Sequence, residues 1–442
     1  MSKKLLILAI FITSLFSVAF AQDVSLRYWH ICVVYPNSSL YCWGDNEYCQ
    51  VANLGYNNVY HPFYIMSGVK NVSTGHGYTC AITTNNSLYC WGNNNIGQLG
   101  LVDVYDRCYP QFVMSDVRSV STASYHTCAI TTNNSLYCWG ANYYGQLGLG
   151  YTTFFEPIPQ FVMSDVNSVS TGHEYTCAVT TNNSLYCWGY NWYGLLGLGY
   201  TSDYEVSPQF VMSGVRSVSA GELHTCAITT NNSLYCWGYN LYGQLGLGYS
   251  SEYEALPQFV MGDVKSVSVG EHYTCAITTN NSLYCWGYNW HGQLGLGYTS
   301  DYEALPHFVM GNVSFVECSY EKTIALDLNG NLYYWGSNEN FIAPSPYEVL
   351  YSPTFVLSLA PSQPTPTYQP GRLITGLYLL PLGSVFAIIF GVSIIFFILY
   401  FLKDRLEDML SLEPSMGSVL KLISYMIMII VFFAMLSIML SL

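Results

Sequence analysis

Charge is what this chain has least of: Lys and Arg number 13 and Asp and Glu 27, together 9% of 442 residues. So few bases leave no electrostatic footprint for a phosphate backbone, which argues against a nucleic-acid binder. An apolar fraction of 51% excludes disorder as firmly. Helical periodicity is missing until residue 373. No nucleophile elbow, zinc-binding helix or phosphate loop occurs, and cysteines and histidines do not gather into a four-ligand set. On these grounds no catalytic apparatus, metal or cofactor is expected.

Long apolar runs are confined to the two ends. Lys3 and Lys4 precede the run Leu5 to Phe16, and Ala19-Phe20-Ala21 places small residues where a signal peptidase cuts. Residues 1–21 therefore read as a signal peptide, the run being short for the roughly 20 residues of a bilayer span. Residues 373–402 and 422–442 carry no charge and are long enough to be transmembrane helices. The loop 403–421 holds Lys403, Arg405 and Lys421 against Arg372 alone on the other side, which places that loop in the cytoplasm and residues 22–357 outside the cell membrane. Residues 358–372 are Pro-rich and read as a stalk.

What is present between the ends is repetition. Trp-Gly occurs at Trp43, Trp91, Trp139, Trp188, Trp237, Trp286 and Trp335, with gaps of 48, 48, 49, 49, 49 and 49 residues. A period near 50 marks an array whose units bury their apolar faces against one another. The unit Ser207 to Leu256 holds four segments of strand character, Gln209 to Met212, Val215 to Ser219, His224 to Thr229 and Leu234 to Trp237. Its hairpin tip, Thr230-Asn231-Asn232, aligns with Pro36-Asn37-Ser38 and Leu328-Asn329-Gly330, which suits a type I turn followed by a left-handed residue.

A three-residue loop sets Cys226 opposite Cys236. The same spacing recurs for Cys32 and Cys42, Cys80 and Cys90, Cys128 and Cys138, Cys177 and Cys187, and Cys275 and Cys285, and both positions change together to Ile324 and Tyr334 in the seventh repeat. Opposed strand residues lie within disulfide reach, and export would let the bonds persist. Cys49, Cys108 and Cys318 remain; the first two lie in successive loops and can bond between repeats, which leaves Cys318 unpaired.

The first repeat lacks the Pro-x-Phe-Val strand, and Ser352 to Leu357 supplies one at the far end with no hairpin after it. Seven such strands and seven hairpins predict an all-β, seven-bladed β-propeller over residues 22–357, closed by strands from both termini that share one blade. An open solenoid is the alternative, with polar caps and two unpaired edges.

The run His224 to Gly246, His-Thr-Cys-Ala followed by Leu-Tyr-Cys-Trp-Gly-x-Asn-x-x-Gly-Gln-Leu-Gly, resembles the regulator of chromosome condensation repeat, and more closely a secreted branch with a Cys in each of the two strands. The resemblance implies the same seven-bladed propeller. Departures are Cys49 for the loop Gly, Leu195 for the Gln, and Glu339-Asn340-Phe341 in the seventh repeat. The family's nuclear members act on a small GTPase and on chromatin; with 23 acids against 8 bases from Asp23 to Arg372, this chain is not expected to share those activities.

The candidate ligand-binding residues follow each Trp-Gly: Tyr143 and Tyr144, Tyr190, Trp192 and Tyr193, Tyr239 and Tyr242, Tyr288, Trp290 and His291, around a fixed Asn. Tyr- and Trp-rich arcs are the chemistry of paratopes and sugar-binding surfaces, whereas rings that fill gaps between blades are the plainer account. Asp203-Tyr204-Glu205, Glu252-Tyr253-Glu254 and Asp301-Tyr302-Glu303 read as acidic loops that would take calcium only if they converged. His126 and His224 read as structural. Asn-x-Ser sequons stand at Asn37, Asn71, Asn85, Asn133, Asn182, Asn231, Asn280 and Asn312 as candidate glycosylation sites. The expectation is a non-catalytic, membrane-embedded surface protein that binds a protein or glycan ligand and no nucleic acid, with a structural envelope protein or an exported enzyme inhibitor as alternatives.

Overall fold

The computed structural model describes residues 23–359, apart from 56, 340–341, 344 and 346–348. The signal peptide, the stalk beyond Leu359 and both spans lie outside the described residues, among which no helix is long and apolar enough to cross a membrane. Among the described residues twenty-eight strands form seven four-stranded antiparallel sheets. In the fifth, Val215–Ala220, His224–Thr229, Leu234–Asn240 and Ser251–Met261 pair in that order. The first strand of each sheet packs against the first strands of the sheets on either side, the last against the first, so the sheets are blades of a closed ring.

The Trp-Gly pairs hold neighbouring blades together. All seven tryptophans are fully buried. Each Nε1 donates to a carbonyl of the preceding blade: Trp91 to Gln50, Trp139 to Gln98, Trp237 to Leu195, and Trp43 to Ile342 of the last blade, at 2.8–3.0 Å. The indole thus buries its area with its polar atom satisfied. At Gly238, with φ +106°, a Cβ would meet Leu223 O and His224 Cα at 2.9 Å, so the backbone there admits glycine alone.

A belt of equivalent hydrogen bonds runs round the inner strands. Thr74, Thr122, Thr171, Ala220, Val269 and Cys318 each donate the backbone N–H to Oγ of Ser25, Ser73, Ser121, Ser170, Ser219 and Ser268 of the blade before, at 2.8–3.2 Å. The seventh bond closes the ring: Leu26 N–H donates to Glu317 Oε2 at 2.9 Å.

The hairpin tips adopt the expected turn. Ser38, Asn86, Asn134, Asn183, Asn232 and Asn281 have φ between 63° and 67°, and Gly330 has 77°. That turn brings the paired cysteines into register on adjacent strands, Cys226 opposite Cys236. All six expected cross-strand disulfides are present: Cys32 is bonded to Cys42, Cys80 to Cys90, Cys128 to Cys138, Cys177 to Cys187, Cys226 to Cys236 and Cys275 to Cys285, each with Cα atoms 4.1 Å apart. Every one of these twelve cysteines is fully buried, so the bonds lie inside the blades. Ile324 and Tyr334 oppose each other in the seventh blade. A further disulfide joins Cys49 to Cys108 across the first two blades, and Cys318 is free and buried.

The closure by a blade shared between the termini is corrected. Every blade is contiguous in sequence: the first sheet runs from Asp23–Arg27 to Val59–Met66, and Val349–Ser358 pairs with Asn331–Ser337 in the last. The Pro-x-Phe strand belongs to the hairpin before it, as Leu234↔Met261 and Tyr235↔Phe259 show, across a long loop. The short connection after it passes to the next blade. Repetition gives the cyclic order of the four strands but not the place where one sheet ends, because strand pairing is a tertiary choice. The ring closes instead through the seam between first and last blades.

Candidate ligand-binding face

The turns between first and second strands and the loops after Trp-Gly emerge at the same end of the ring. Tyr239 N–H donates to Leu223 O at 2.9 Å and Tyr288 N–H to His272 O at 3.0 Å, tying turn to loop within each blade. Antiparallel alternation puts the hairpin tips at the opposite end. These two ends are here called the loop face and the tip face.

The loops are built on a fixed Asn and, in five of the seven blades, a Gln. Asn240 accepts from Leu245 N–H at 3.1 Å through Oδ1 and donates to Tyr249 O at 3.1 Å through Nδ2. Gln244 Oε1 accepts from Tyr242 N–H at 3.0 Å, and Gln146 and Gln293 hold Tyr144 and His291 in the same way. These buried amides fix where each aromatic stands. The fourth blade, with Leu195 in place of Gln, lacks this bond at Tyr193.

The aromatics meet across three successive seams. Tyr144 contacts Tyr190 with ring centroids 5.1 Å apart, Tyr193 contacts Tyr239 at 4.9 Å, and Tyr242 contacts Tyr288 at 4.9 Å. Spacings and tilts of this kind are favourable for aromatic pairs. Trp192 and Trp290 flank the row at 5.6 Å from Tyr190 and 5.8 Å from Tyr288. Both indoles are mostly exposed, at 56% and 60%, while their N–H groups donate to Asp203 and Asp301. Tyr143 stands apart from the row, against Phe154 at 4.9 Å. At one end Ile96 and Ala141 take the seam positions and the row stops; at the other His291 lies 3.0 Å from Glu321. Burial raises the Tyr190 phenol to about 12 and raises those of Tyr239 and Tyr288, so the hydroxyls remain donors at neutral pH.

The acid–tyrosine–acid segments are not loops. They lie in the outer strands, with Glu205 opposite Gly189 and Tyr204 opposite Tyr190. Glu205 accepts from Tyr200 and Ser202, and Asp203 from Trp192, so their oxygens serve local bonds. Among the described residues no group of three acids, histidines or cysteines is placed to hold a metal. His126 and His224 are buried between blades, with Nε2 on Thr176 and Thr274 at 2.8 and 2.7 Å, and burial lowers both to about 3. The sequons fall on the tip face or, for Asn71, in an inner strand.

The sequence reading missed an inner ring on the loop face. His76, Tyr125, His173, Glu174, Glu222 and His272 occupy the first turns of successive blades. His272 packs against Tyr239, Tyr242 and Tyr288 at 5.1–6.1 Å, joining that ring to the aromatic row. The signal was available: these positions vary between otherwise constant Val-Ser and Thr-Cys segments. Beside them a small depression of about 10 Å³, lined by Arg27, Glu222, Glu271 and Tyr320, has room for about one water.

The regulator of chromosome condensation (RCC1) repeat profile matches residues 85–130, 133–179, 182–228, 231–277 and 280–326, and a second profile of the same repeat matches 69–98, 117–146, 166–194, 215–244 and 264–293. The longer profile begins at one blade's hairpin tip and ends in the next blade's second strand, out of phase with the sheets. Human WBSCR16 superposes with a TM-score of 0.63 at 21% identity, over 70% of this chain and 86% of that one. Prp20p from Saccharomyces cerevisiae gives 0.64 at 20% identity, over 72% and 85%. Yeast RCC1 (Prp20), in a structure with Kap60, gives 0.64 at 20% identity, over 72% and 83%. No curated protein matches the chain in sequence.

Proposed function

The chain belongs to the regulator of chromosome condensation repeat family, and from that premise we propose that it is a non-catalytic, membrane-anchored propeller displayed outside the cell, where its loop face binds a protein or glycan ligand. The observation that carries this reading is the row of equivalent aromatic pairs, Tyr144–Tyr190, Tyr193–Tyr239 and Tyr242–Tyr288. Rigid rings offer contact area at low conformational cost, and three near-identical seams suit a ligand that repeats, such as a polymer. Protein binding has precedent, since Prp20p is described for its binding to Gsp1p and histones and Kap60 binds yeast RCC1. The acidic excess argues against carrying histones, DNA or nucleotide exchange over to this chain. The uncharged runs 373–402 and 422–442 supply the anchor, and Lys403, Arg405 and Lys421 in the loop between them the orientation.

A structural envelope role has one observation in its favour. Phe112, Phe161, Phe210, Phe259, Phe308 and Phe355 are each 52–57% exposed on the outer strands, a regular apolar rim suited to lateral packing. Cells displaying the full chain, screened against glycan arrays and surface proteins and shaved with protease, test both readings. Release of the propeller with a captured ligand supports the first; a protected propeller overturns the topology, and lateral self-association without ligand favours the second.

A further inference from the structure

The structure sorts the eight sequons. Asn37, Asn85, Asn133, Asn182, Asn231 and Asn280 are exposed at hairpin tips on the tip face. Each Oδ1 accepts from the backbone N–H two residues on, at 3.1–3.3 Å. Nδ2, the atom a glycan would be joined to, has no hydrogen-bond partner among the described residues. Asn71 differs: it is half-buried in an inner strand, and its Nδ2 donates to Asp23 Oδ2 at 2.5 Å across the seam of the first two blades.

The eighth sequon decides between turn chemistry and modification. The seventh tip, Leu328-Asn329-Gly330-Asn331, has lost its sequon. Asn312-Val313-Ser314 stands beside it, with Asn312 exposed and its carbonyl accepting from Leu328 N–H at 2.7 Å. Asn312 has φ 61° in the turn that enters the seventh blade; the equivalent left-handed positions elsewhere are Gly68, Asp116, Asp165, Gly214 and Asp263. Glycine or Asp therefore satisfies this turn, and Asn with Ser two residues on appears only where the tip lacks a sequon. Ser314 has a local use, its hydroxyl donating to the Leu326 and Asp327 carbonyls at 3.1 Å, but the turn does not require Asn rather than glycine or Asp at position 312.

We propose that the tip face carries N-linked glycans, one per blade, on Asn37, Asn85, Asn133, Asn182, Asn231, Asn280 and Asn312, and that Asn71 carries none in the folded protein. In the transfer, Nδ2 bonds to the anomeric carbon of a lipid-diphosphate-linked oligosaccharide, the bond from that carbon to the phosphate oxygen breaks, the lipid diphosphate leaves and Nδ2 loses one proton. A glycan on Asn71 would break its bond to Asp23 and wedge the first two blades apart. Seven glycans hydrate one end of a chain poor in charge and leave the loop face as the end open to a ligand. The proposal rests on export of residues 22–357.

The test is peptide mapping of the full chain, purified folded from a eukaryotic secretory host and treated with peptide N-glycosidase in heavy-oxygen water, with surface biotinylation of the same cells. Conversion to labelled Asp is expected at the seven positions and not at Asn71, and Asn312→Asp, which keeps a residue the turn accepts, should remove one glycan's mass. A surface-labelled chain with unconverted asparagines overturns the proposal and leaves export standing. A chain neither labelled nor converted overturns both, and conversion of Asn71 to the level of the others overturns the structural selection.

Discussion

Glu317 of the last blade accepts a hydrogen bond from Leu26 N–H of the first at 2.9 Å, where the other six seams use a serine hydroxyl. The closing bond of the ring is thus the one made by an ionisable group. Burial pushes Glu317 up to about 8 and Asp23 beside it up to about 7.

A stability maximum near pH 6.5 follows. Glu317 and Asp23 have folded pKa values above their unfolded ones, so their contribution is fully present below the ordinary carboxylate value of about 4 and is lost progressively as pH rises from there through about 7 to 8. His30, His126 and His224 are lowered to about 3, so theirs is present above about 6.5 and is lost as pH falls. Below 6.5 three histidines outweigh two carboxyls, and above it the carboxyls act alone, each at up to about 1.4 kcal/mol per pH unit. Thermal unfolding from pH 5 to 8 checks this. Glu317→Gln should flatten the limb above pH 6.5 and raise Tm at pH 8; an unchanged profile would show that the seam carboxyl does not titrate with folding.

The disulfide between blades should contribute more than any one within a blade. The bond from Cys49 to Cys108 spans 59 residues and each hairpin disulfide spans 10. Chain entropy gives about 4 kcal/mol for the longer loop and about 3 for the shorter. Denaturant unfolding of the double variant Cys49→Ser with Cys108→Ser, against Cys226→Ser with Cys236→Ser, measures the difference. Equal or reversed losses would mean that the first seam is held chiefly by Trp91 and the serine belt.

How far the sequence could be read depended on how local the physics is. Hairpin tips were legible because a left-handed third position selects Asn or Gly, and the facing cysteines followed by counting from the tip. Blade boundaries were not, because Tyr235 finds Phe259 across a long loop that the 49-residue period does not mark. The same gap hid the strand character of Asp203-Tyr204-Glu205, whose acids look solvated until Gly189 and Tyr190 are set beside them. The seam partners Tyr144 and Tyr190, Tyr193 and Tyr239, and Tyr242 and Tyr288 are each 46 residues apart. That interval carries meaning only once successive blades are neighbours in a ring. The role of His272 is not legible in the sequence because it comes from the aromatics of two blades.

The most direct test of the account is the affinity of cells displaying the full chain for a ligand found by screening, compared with the variant in which Tyr190, Trp192, Tyr239, Tyr242, Tyr288 and Trp290 are changed to Ala. Loss of an aromatic anchor typically costs about 2 kcal/mol or more, so binding should fall at least about 30-fold for the combined variant, with surface display and thermal unfolding retained. Undiminished binding by a folded, displayed variant would contradict the assignment of the aromatic row as the ligand site.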